Sequence, residues 1–235
     1  MPRSILISGA NQGLGFHTAQ QLAAHPNLLI FMGSRKLAAA DVAIAKFQTG
    51  IHASSSVVPV QLDITDDASV QAAQEFVMKF LDGQKLDVLM NNAGVAFAPI
   101  EQIYALNVLG TVRLTDAFRN SDSISPGGLI INVTSSLGSI ASYTSEPYPV
   151  NVMPSYASSK AALNTLTVTW ALLEQKKGSG IRVVSVDPGP TSTNLNGFHP
   201  AGADPAVSCE VMVKAALEEN GRTAAFFNKN GDHPW

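Results

Sequence analysis

The chain has 235 residues, 46% of them hydrophobic and 14% charged, enough apolar material to bury one sizeable core, and a single domain over 1–235 is expected. A formal net charge of −3 without a long basic run argues against a nucleic-acid surface. One cysteine, Cys209, excludes an internal disulfide and a cysteine-built metal site, and no stretch approaches the apolar length of a membrane span. The apolar run Ile5-Leu6-Ile7 is too short for a signal peptide, so a cytoplasmic protein is expected.

Ile5-Leu6-Ile7 reads as a short buried strand. It leads into Ser8-Gly9-Ala10-Asn11-Gln12-Gly13-Leu14-Gly15 and then into a helical run through Leu22 and Ala23. A strand, a glycine-rich turn and a helix start make a phosphate cradle, because bare backbone N–H groups and the helix dipole can meet an anion. The spacing is Gly-x-x-x-Gly-x-Gly rather than the common Gly-x-Gly-x-x-Gly. Glycines also serve plain turns, so the triplet alone does not decide between a cradle and a turn.

Leu28 to Gly33 is a second buried strand ending in Ser34-Arg35-Lys36, with no carboxylate until Asp41. A hydroxyl and a planar guanidinium at that place suit a phosphate ester; a solvated loop charge is the plainer alternative. Val57 to Leu62 is a third strand, where Pro59 marks an edge position. Asp63-Ile64-Thr65-Asp66 comes next, with Thr65 as the expected N-cap of a helix from Ala68 to Leu81. Leu86 to Met90 is a fourth strand that closes on Asn91-Asn92-Ala93-Gly94, where amides can tie neighbouring strands together. Ile100 to about Asn120 reads as one long helix carrying Asn107.

Gly128 to Val133 is the fifth strand and delivers Thr134-Ser135-Ser136-Leu137-Gly138 at its carboxyl end, where open parallel sheets bind ligands. A long connection comes after it, containing Tyr143, Glu146-Pro147-Tyr148-Pro149 and Met153-Pro154. Those residues, in a substrate loop of about 136–155, form either a pocket wall or a structural loop. Tyr156-Ala157-Ser158-Ser159-Lys160 then opens a helix without Gly or Pro until Gly178, so Tyr156 and Lys160 lie four apart on one face. A phenol has a reference pKa of about 10, and a neighbouring cation lowers it, which would make Tyr156 a proton donor near neutral pH. A lone Tyr-x-x-x-Lys is far more often a surface pair.

Ile181 to Val186 is the sixth strand, leading into Asp187-Pro188-Gly189-Pro190-Thr191-Ser192-Thr193. The Gly-, Pro- and Asn-rich stretch that continues to Gly202 is a candidate lid, giving a second substrate loop of about 190–204. A last helix from Pro205 to about Glu219 precedes a seventh strand at Ala224 to Phe227. Apolar strands alternating with amphipathic helices predict an α/β fold: a doubly wound, mostly seven-stranded parallel sheet with helices on both faces.

Taken in order, the glycine triplet, Asn91-Asn92-Ala93-Gly94, Asn107, Ser135, Tyr156-x-x-x-Lys160 and Pro188-Gly189-x-x-x-Thr193 resemble the motifs of the short-chain dehydrogenase/reductase family. The resemblance runs from Ser8 to Thr193, and the tail Gly231-Asp232-His233-Pro234-Trp235 is similar to the ends of the sniffer- and C-factor-like carbonyl reductases within that family. It implies a Rossmann-type fold and catalytic roles for Ser135, Tyr156, Lys160 and Asn107, with Ser136 competing for the role of Ser135. The asparagine would perturb its helix and hold a water beside the lysine.

The same resemblance implies a cofactor site of Gly9, Asn11, Gln12, Gly13, Leu14 and Gly15 at the pyrophosphate, and Asp63 and Ile64 at the adenine. Asn92, Ala93 and Gly94 would lie alongside. Pro188, Gly189 and Thr191 would grip the nicotinamide carboxamide, and Thr193 would lie near the pyrophosphate, although Thr191 replaces the usual branched aliphatic. Ser34 and Arg35 point to NADPH. The expected reaction is reduction of a small-molecule ketone or aldehyde, without a metal and without nucleic-acid or membrane partners. A carrier-bound ketoacyl substrate, alcohol oxidation, or a non-catalytic NADP-binding regulator are the alternatives. Pairing through the helices of Tyr156 and Asn107 would give a homodimer or homotetramer.

Overall fold

In the computed structural model, which describes residues 1–145 and 153–235, the apolar segments assemble into one sheet of eight strands. The chain runs β1 (Arg3–Ile7), α1 (Gly13–Ala23), β2 (Leu28–Ser34), α2 (Leu37–Ala45), β3 (Ser56–Gln61), α3 (Asp67–Leu81) and β4 (Leu86–Asn91). It continues with α4 (Ile100–Tyr104), a π-helical segment (Ala105–Gly110), α5 (Thr111–Asn120), β5 (Ile124–Val133), α6 (Ile140–Tyr143), α7 (Pro154–Lys177) and β6 (Arg182–Val186). Two short helices, α8 (Pro205–Ser208) and α9 (Glu210–Leu217), precede β7 (Ala225–Asn228) and β8 (Gly231–Asp232).

Strand order is β3-β2-β1-β4-β5-β6-β7-β8, with every pairing parallel except the last. Pro59 sits on the edge strand β3, as its missing N–H requires. The expected seven-stranded sheet therefore carries one extra antiparallel strand. Two residues of types depleted in strands leave no periodic pattern to detect.

Side chains alternate across the sheet and build two cores. Ile5, Ile7, Ile30, Met32, Val88 and Ile131 pack with α1 and α9 through Leu22 and Met212. Leu6, Phe31, Leu89, Ile130 and Val183 face α3, α5 and α7 through Val77, Leu114, Phe118 and Trp170. Each fully buried large side chain contributes about 1.5–3 kcal/mol, more than the few tenths that separate helix propensities, so the sheet faces hold the helices in place.

A chain of buried polar side chains crosses the middle of the sheet. Asn91 Nδ2 donates to Thr115 Oγ1 at 2.9 Å and to Asn132 Oδ1 at 2.8 Å; Asn132 Nδ2 donates to Thr167 Oγ1 at 2.8 Å, which lies 2.8 Å from Ser185 Oγ. β4, β5 and β6 are thereby pinned to α5 and α7, as the amides of the sequence suggested.

Several local expectations change. The cap of α3 is Asp66, whose carboxylate accepts from Ala68 N; Thr65 is instead held by Asp63. The long helix carrying Asn107 is divided by the π-helical segment, in accord with the expected perturbation there. The last helix breaks at Cys209 into α8 and α9. The sequence pattern also passed over α2, an alanine-rich helix packed on the first core through Ala43 and Ile44. Among the described residues, no helix is long and apolar enough to cross a membrane.

Candidate active site

From β1 the chain moves outward to β3 and then returns to place β4 on the other side of β1. The carboxyl ends of β1 and β4 therefore flank the crevice where open α/β sheets bind ligands. The glycine-rich turn fills one wall of it. Gly9 takes φ +64°, and a Cβ there would sit 3.0 Å from Ala93 Cα. A Cβ on Gly15 would lie 2.5 Å from Asn92 Nδ2 and 2.7 Å from Gly9 O, so only glycine lets this turn meet the β4 loop.

Hydrogen bonds lock the two together. Ser8 Oγ accepts from Asn92 N at 3.0 Å and Ala93 N at 3.1 Å, while Asn92 Nδ2 donates to Ser8 O at 2.9 Å and Gly9 O at 3.1 Å. Helix α1 starts at Gly13 with no side-chain cap from Gln12. Its first N–H groups are thus left for an anion. Asn11 is half-buried on the turn, and Leu14 packs against the first core.

At the end of β2, Arg35 is exposed and makes no ion pair among the described residues. Ser34 behaves differently. It is buried, its hydroxyl donates to Lys36 O at 3.0 Å and accepts from Lys36 N at 3.3 Å, so it serves its own turn. Asp63 accepts from Thr65 N at 2.9 Å and Thr65 Oγ1 at 2.6 Å. Burial works against its charge, but these bonds and the Arg35 and Arg113 guanidiniums hold the carboxyl below the usual range. Ile64 is buried against Gly110 of the π-helical segment.

Ser135, Tyr156, Lys160 and Asn107 come together across β5, the π-helical segment and α7. Lys160 is 4% exposed and its ammonium donates to Val133 O at 2.8 Å, 5.6 Å from the centre of the Tyr156 ring. Burial pushes it down to about 8, opposed by the charge of Asp187. The expectation that Lys160 lowers the tyrosine pKa is not met in this state. Burial, and then the Asp187 charge, drive the phenol above its ordinary range, while a hydrogen bond with the Ser135 side chain opposes them. The physical reason is that the ammonium is itself desolvated and engaged by a carbonyl.

The two rival serines have different surroundings. Ser135 lies within reach of the phenol, its Oγ also accepting from Leu137 N at 3.2 Å, whereas Ser136 N donates to Asp187 Oδ2 at 3.0 Å. Asn107 is buried and its amide is committed: Oδ1 accepts from Val95 N at 2.9 Å, and Nδ2 donates to Val95 O at 2.9 Å and Ser159 Oγ at 3.1 Å. It joins the loop after Gly94 to α7. A Cβ on Gly94 would lie 3.4 Å from Asn107 Oδ1 and 3.8 Å from Lys160 Nζ.

Pro188 and Gly189 leave β6, Gly189 with φ +78°. Thr191 bridges to Ala203, and Ser192 N donates to Ala203 O at 2.9 Å, closing the base of the expected lid. Thr193 caps a short 3₁₀ turn beside Gly13, and Asn194 Nδ2 donates to Gln12 Oε1 at 3.0 Å.

Beside Tyr156 lies a cavity of about 340 Å³ whose described walls are Ala96, Phe97, Ala98, Ile103, Met153, Pro154 and Ser155. Met153 and Pro154 thus belong to the pocket wall; Tyr143 is not among those walls, and Glu146-Pro147-Tyr148-Pro149 lie outside the described residues. Two features escaped the sequence: this wall from the β4–α4 connection, and Asp187, whose signal was an acid directly before Pro-Gly at the end of a buried strand.

A glycine-rich turn at the switch point thus lies on the same sheet edge as a cluster of Ser135, Tyr156 and Lys160 from the turn after β5 and from α7. The chain belongs to the short-chain dehydrogenase family, whose model matches residues 3–202. It is 34% identical to the short-chain dehydrogenase anuI of Penicillium roqueforti over 82% of this chain and 80% of that relative. Among solved structures, an NADPH-bound carbonyl reductase from chicken fatty liver matches with a TM-score of 0.80 and 29% identity, over 100% of this chain and 99% of the other. The Sniffer carbonyl reductase of D. melanogaster shares the fold, with a TM-score of 0.79 at 23% identity over 100% of both chains.

Proposed function

We propose that this protein reduces an uncharged ketone or aldehyde to an alcohol with NADPH, using Tyr156 as the proton donor. The observation that carries the reading is the convergence of Ser135, Tyr156 and Lys160 at the carboxyl edge of the sheet, beside a cavity whose described walls carry no charge. The NADPH-bound chicken enzyme supports the choice of chemistry.

The residues fit the cofactor. Positions 9 and 15 admit no side chain, and the uncapped start of α1 suits a pyrophosphate, which Gly13, Asn11, Gln12, Leu14 and Thr193 would surround. Arg35, free at the end of β2, would hold a 2′-phosphate through charge-assisted contacts, with Ser34 fixing its turn. Asp63 and Ile64 would hold the adenine, Asn92, Ala93 and Gly94 the adjoining face, and the backbone of Pro188, Gly189 and Thr191 the carboxamide. When bound, NADPH supplies the hydride.

The chain's own residues handle the oxygen and the proton. Tyr156 donates its proton to the carbonyl oxygen, and Ser135 donates a hydrogen bond to that oxygen as negative charge develops. Lys160 keeps a cation beside the phenol and would bond the nicotinamide ribose. Asn107 holds the Gly94–Val95 loop against α7, so that the lysine keeps its place. The absence of cations from the described cavity walls favours a free carbonyl compound over a carrier-bound ketoacyl group. The buried Cys209 thiol fits a cytoplasmic setting. Residues 1–235 would act as one domain, and the exposed Leu109, Leu172 and Leu173, near Asn107 and on α7, would offer the apolar face for a homodimer or homotetramer.

The test is the loss of nicotinamide absorbance, with NADPH and NADH compared over a panel of ketones, aldehydes and quinones. Turnover with a clear NADPH preference is expected. Preference for NADH would reverse the role given to Arg35, and tight NADPH binding without turnover would favour a cofactor-sensing protein.

A further inference from the structure

One buried acid has no part in the chemistry above. Asp187 ends β6 and is 4% exposed, yet each of its carboxylate oxygens is engaged: Ser136 N donates to Oδ2 at 3.0 Å, and Gly189 N donates to Oδ1 at 2.8 Å. One oxygen holds the turn that carries Ser135, the other the turn of Pro188 and Gly189. The backbone is anchored as well, because Asp187 N donates to Phe227 O at 2.9 Å.

We infer that Asp187 is a positioning residue, its carboxylate clasping the Ser135 turn to the Pro188–Gly189 turn and so fixing the oxygen donors against the backbone that grips the nicotinamide end. This rests on the reductase reading of the site. Hydrogen bonds to an ionised acceptor are roughly twice as strong as neutral ones, and a buried carboxylate is tolerated only when donors meet it. Asn at 187 would keep one acceptor, set an NH₂ against a backbone N–H, and lose the charge.

That charge has an audience. Tyr156 and Lys160 face it from α7, and His233 faces it from the C-terminal tail. The anion raises the pKa of both α7 groups; burial pushes its own pKa above the ordinary carboxylate range, opposed by the Gly189 and Ser136 hydrogen bonds and by His233. His233 is held for this by its ring against Phe226, with centroids 4.7 Å apart, and by its own N–H, which donates to Phe226 O at 2.8 Å. The tail is fastened beyond it, where Ala141 N donates to Trp235 O at 2.8 Å.

Three full-length variants test the clasp: Asp187→Asn, Ser136→Pro and Tyr156→Phe. A proline fits the first position of the turn after the extended Ser135, removing the 136 donor while leaving the charge in place. Asp187→Asn should lower kcat about 10- to 100-fold, the size expected for a misplacement near 1 Å. NADPH affinity, read by fluorescence titration, should change far less. The alkaline limb of the kcat profile should also move to lower pH, since removing an anion lowers the pKa of Tyr156 and Lys160. Ser136→Pro should lose turnover with the limb unmoved.

Asp187→Asn with kcat within about twofold of wild type and an unmoved limb overturns the clasp. If Asp187→Asn does not fold, a folded Ser136→Pro with wild-type turnover overturns it instead. Tyr156→Phe separates the layers: wild-type turnover there sinks the reductase reading, whereas a dead Tyr156→Phe beside an unaffected Asp187→Asn sinks the clasp alone.

Discussion

Tyr156 and Lys160 show how a pair legible in sequence acquires its properties only from its surroundings. Spacing placed them on one helical face, and the structure adds that Lys160 is buried and Tyr156 half-buried, both within reach of the Asp187 charge. Tyr156→Phe removes the proposed proton donor and should cut turnover by roughly 10²–10⁴, with NADPH binding nearly intact. Steady-state kinetics and a binding titration on the same preparation check this. Lys160 makes a second, thermodynamic prediction. Its folded pKa of about 8 lies below the usual value of about 10.4, so between these the unfolded chain holds a proton that the folded chain has shed. Stability should therefore rise as pH climbs from about 8 to about 10, and less steeply in Lys160→Met. Thermal melts of the ligand-free protein across that range would show it; equal slopes would contradict it. The choice between Ser135 and Ser136 is open in sequence because two adjacent hydroxyls look alike; the fold sets them apart by drawing the Ser136 N–H to Asp187.

Elements were legible wherever periodicity was strong, and their ends were not. The apolar strands and α7 were legible at their centres, since a buried strand and an uninterrupted helix leave long patterns, but β5 starts at Ile124 rather than Gly128 and α7 at Pro154 rather than Tyr156. α2 was missed because five alanines in nine residues give little contrast between its faces, and the break at Cys209 has no Gly or Pro to mark it. The 3₁₀ turn after Ser135 packs directly on the backbone of α7: a Cβ on Gly138 would lie 2.7 Å from Lys160 C and 2.9 Å from Ala161 N. Gly138→Ala should thus separate the serine from the tyrosine. Overpacking of this kind costs about 1–3 kcal/mol, which for a chain of this size lowers Tm by roughly 2–4 °C per kcal/mol. Differential scanning fluorimetry together with kcat measures both effects, and an unchanged variant would mean that the turn has room to give.

At the scale of the whole molecule, exposed Leu109, Leu172 and Leu173 leave apolar surface on the π-helical segment that carries Asn107 and on α7, which carries Tyr156 and Lys160. Sedimentation velocity should report a dimer or larger species, and Leu109→Glu with Leu172→Glu should convert it to a monomer; a wild-type monomer would remove the pairing reading. Fold class and the glycine-rich turn after β1 could be read from the chain because both are written in local patterns. The cavity wall at Ala96 to Ile103 and the role of Asp187 could not, since each depends on segments far apart in sequence meeting at one sheet edge.

The row from Thr115 through Asn91, Asn132 and Thr167 to Ser185 acts as a key cut for a single lock. Sliding β5 by one residue against β4 or β6 would leave amides stranded in a dry interior, at about 1–3 kcal/mol for every orphaned group. The central strands accordingly accept one stagger, and the loops they project are already aligned when the sheet closes, before any nucleotide arrives.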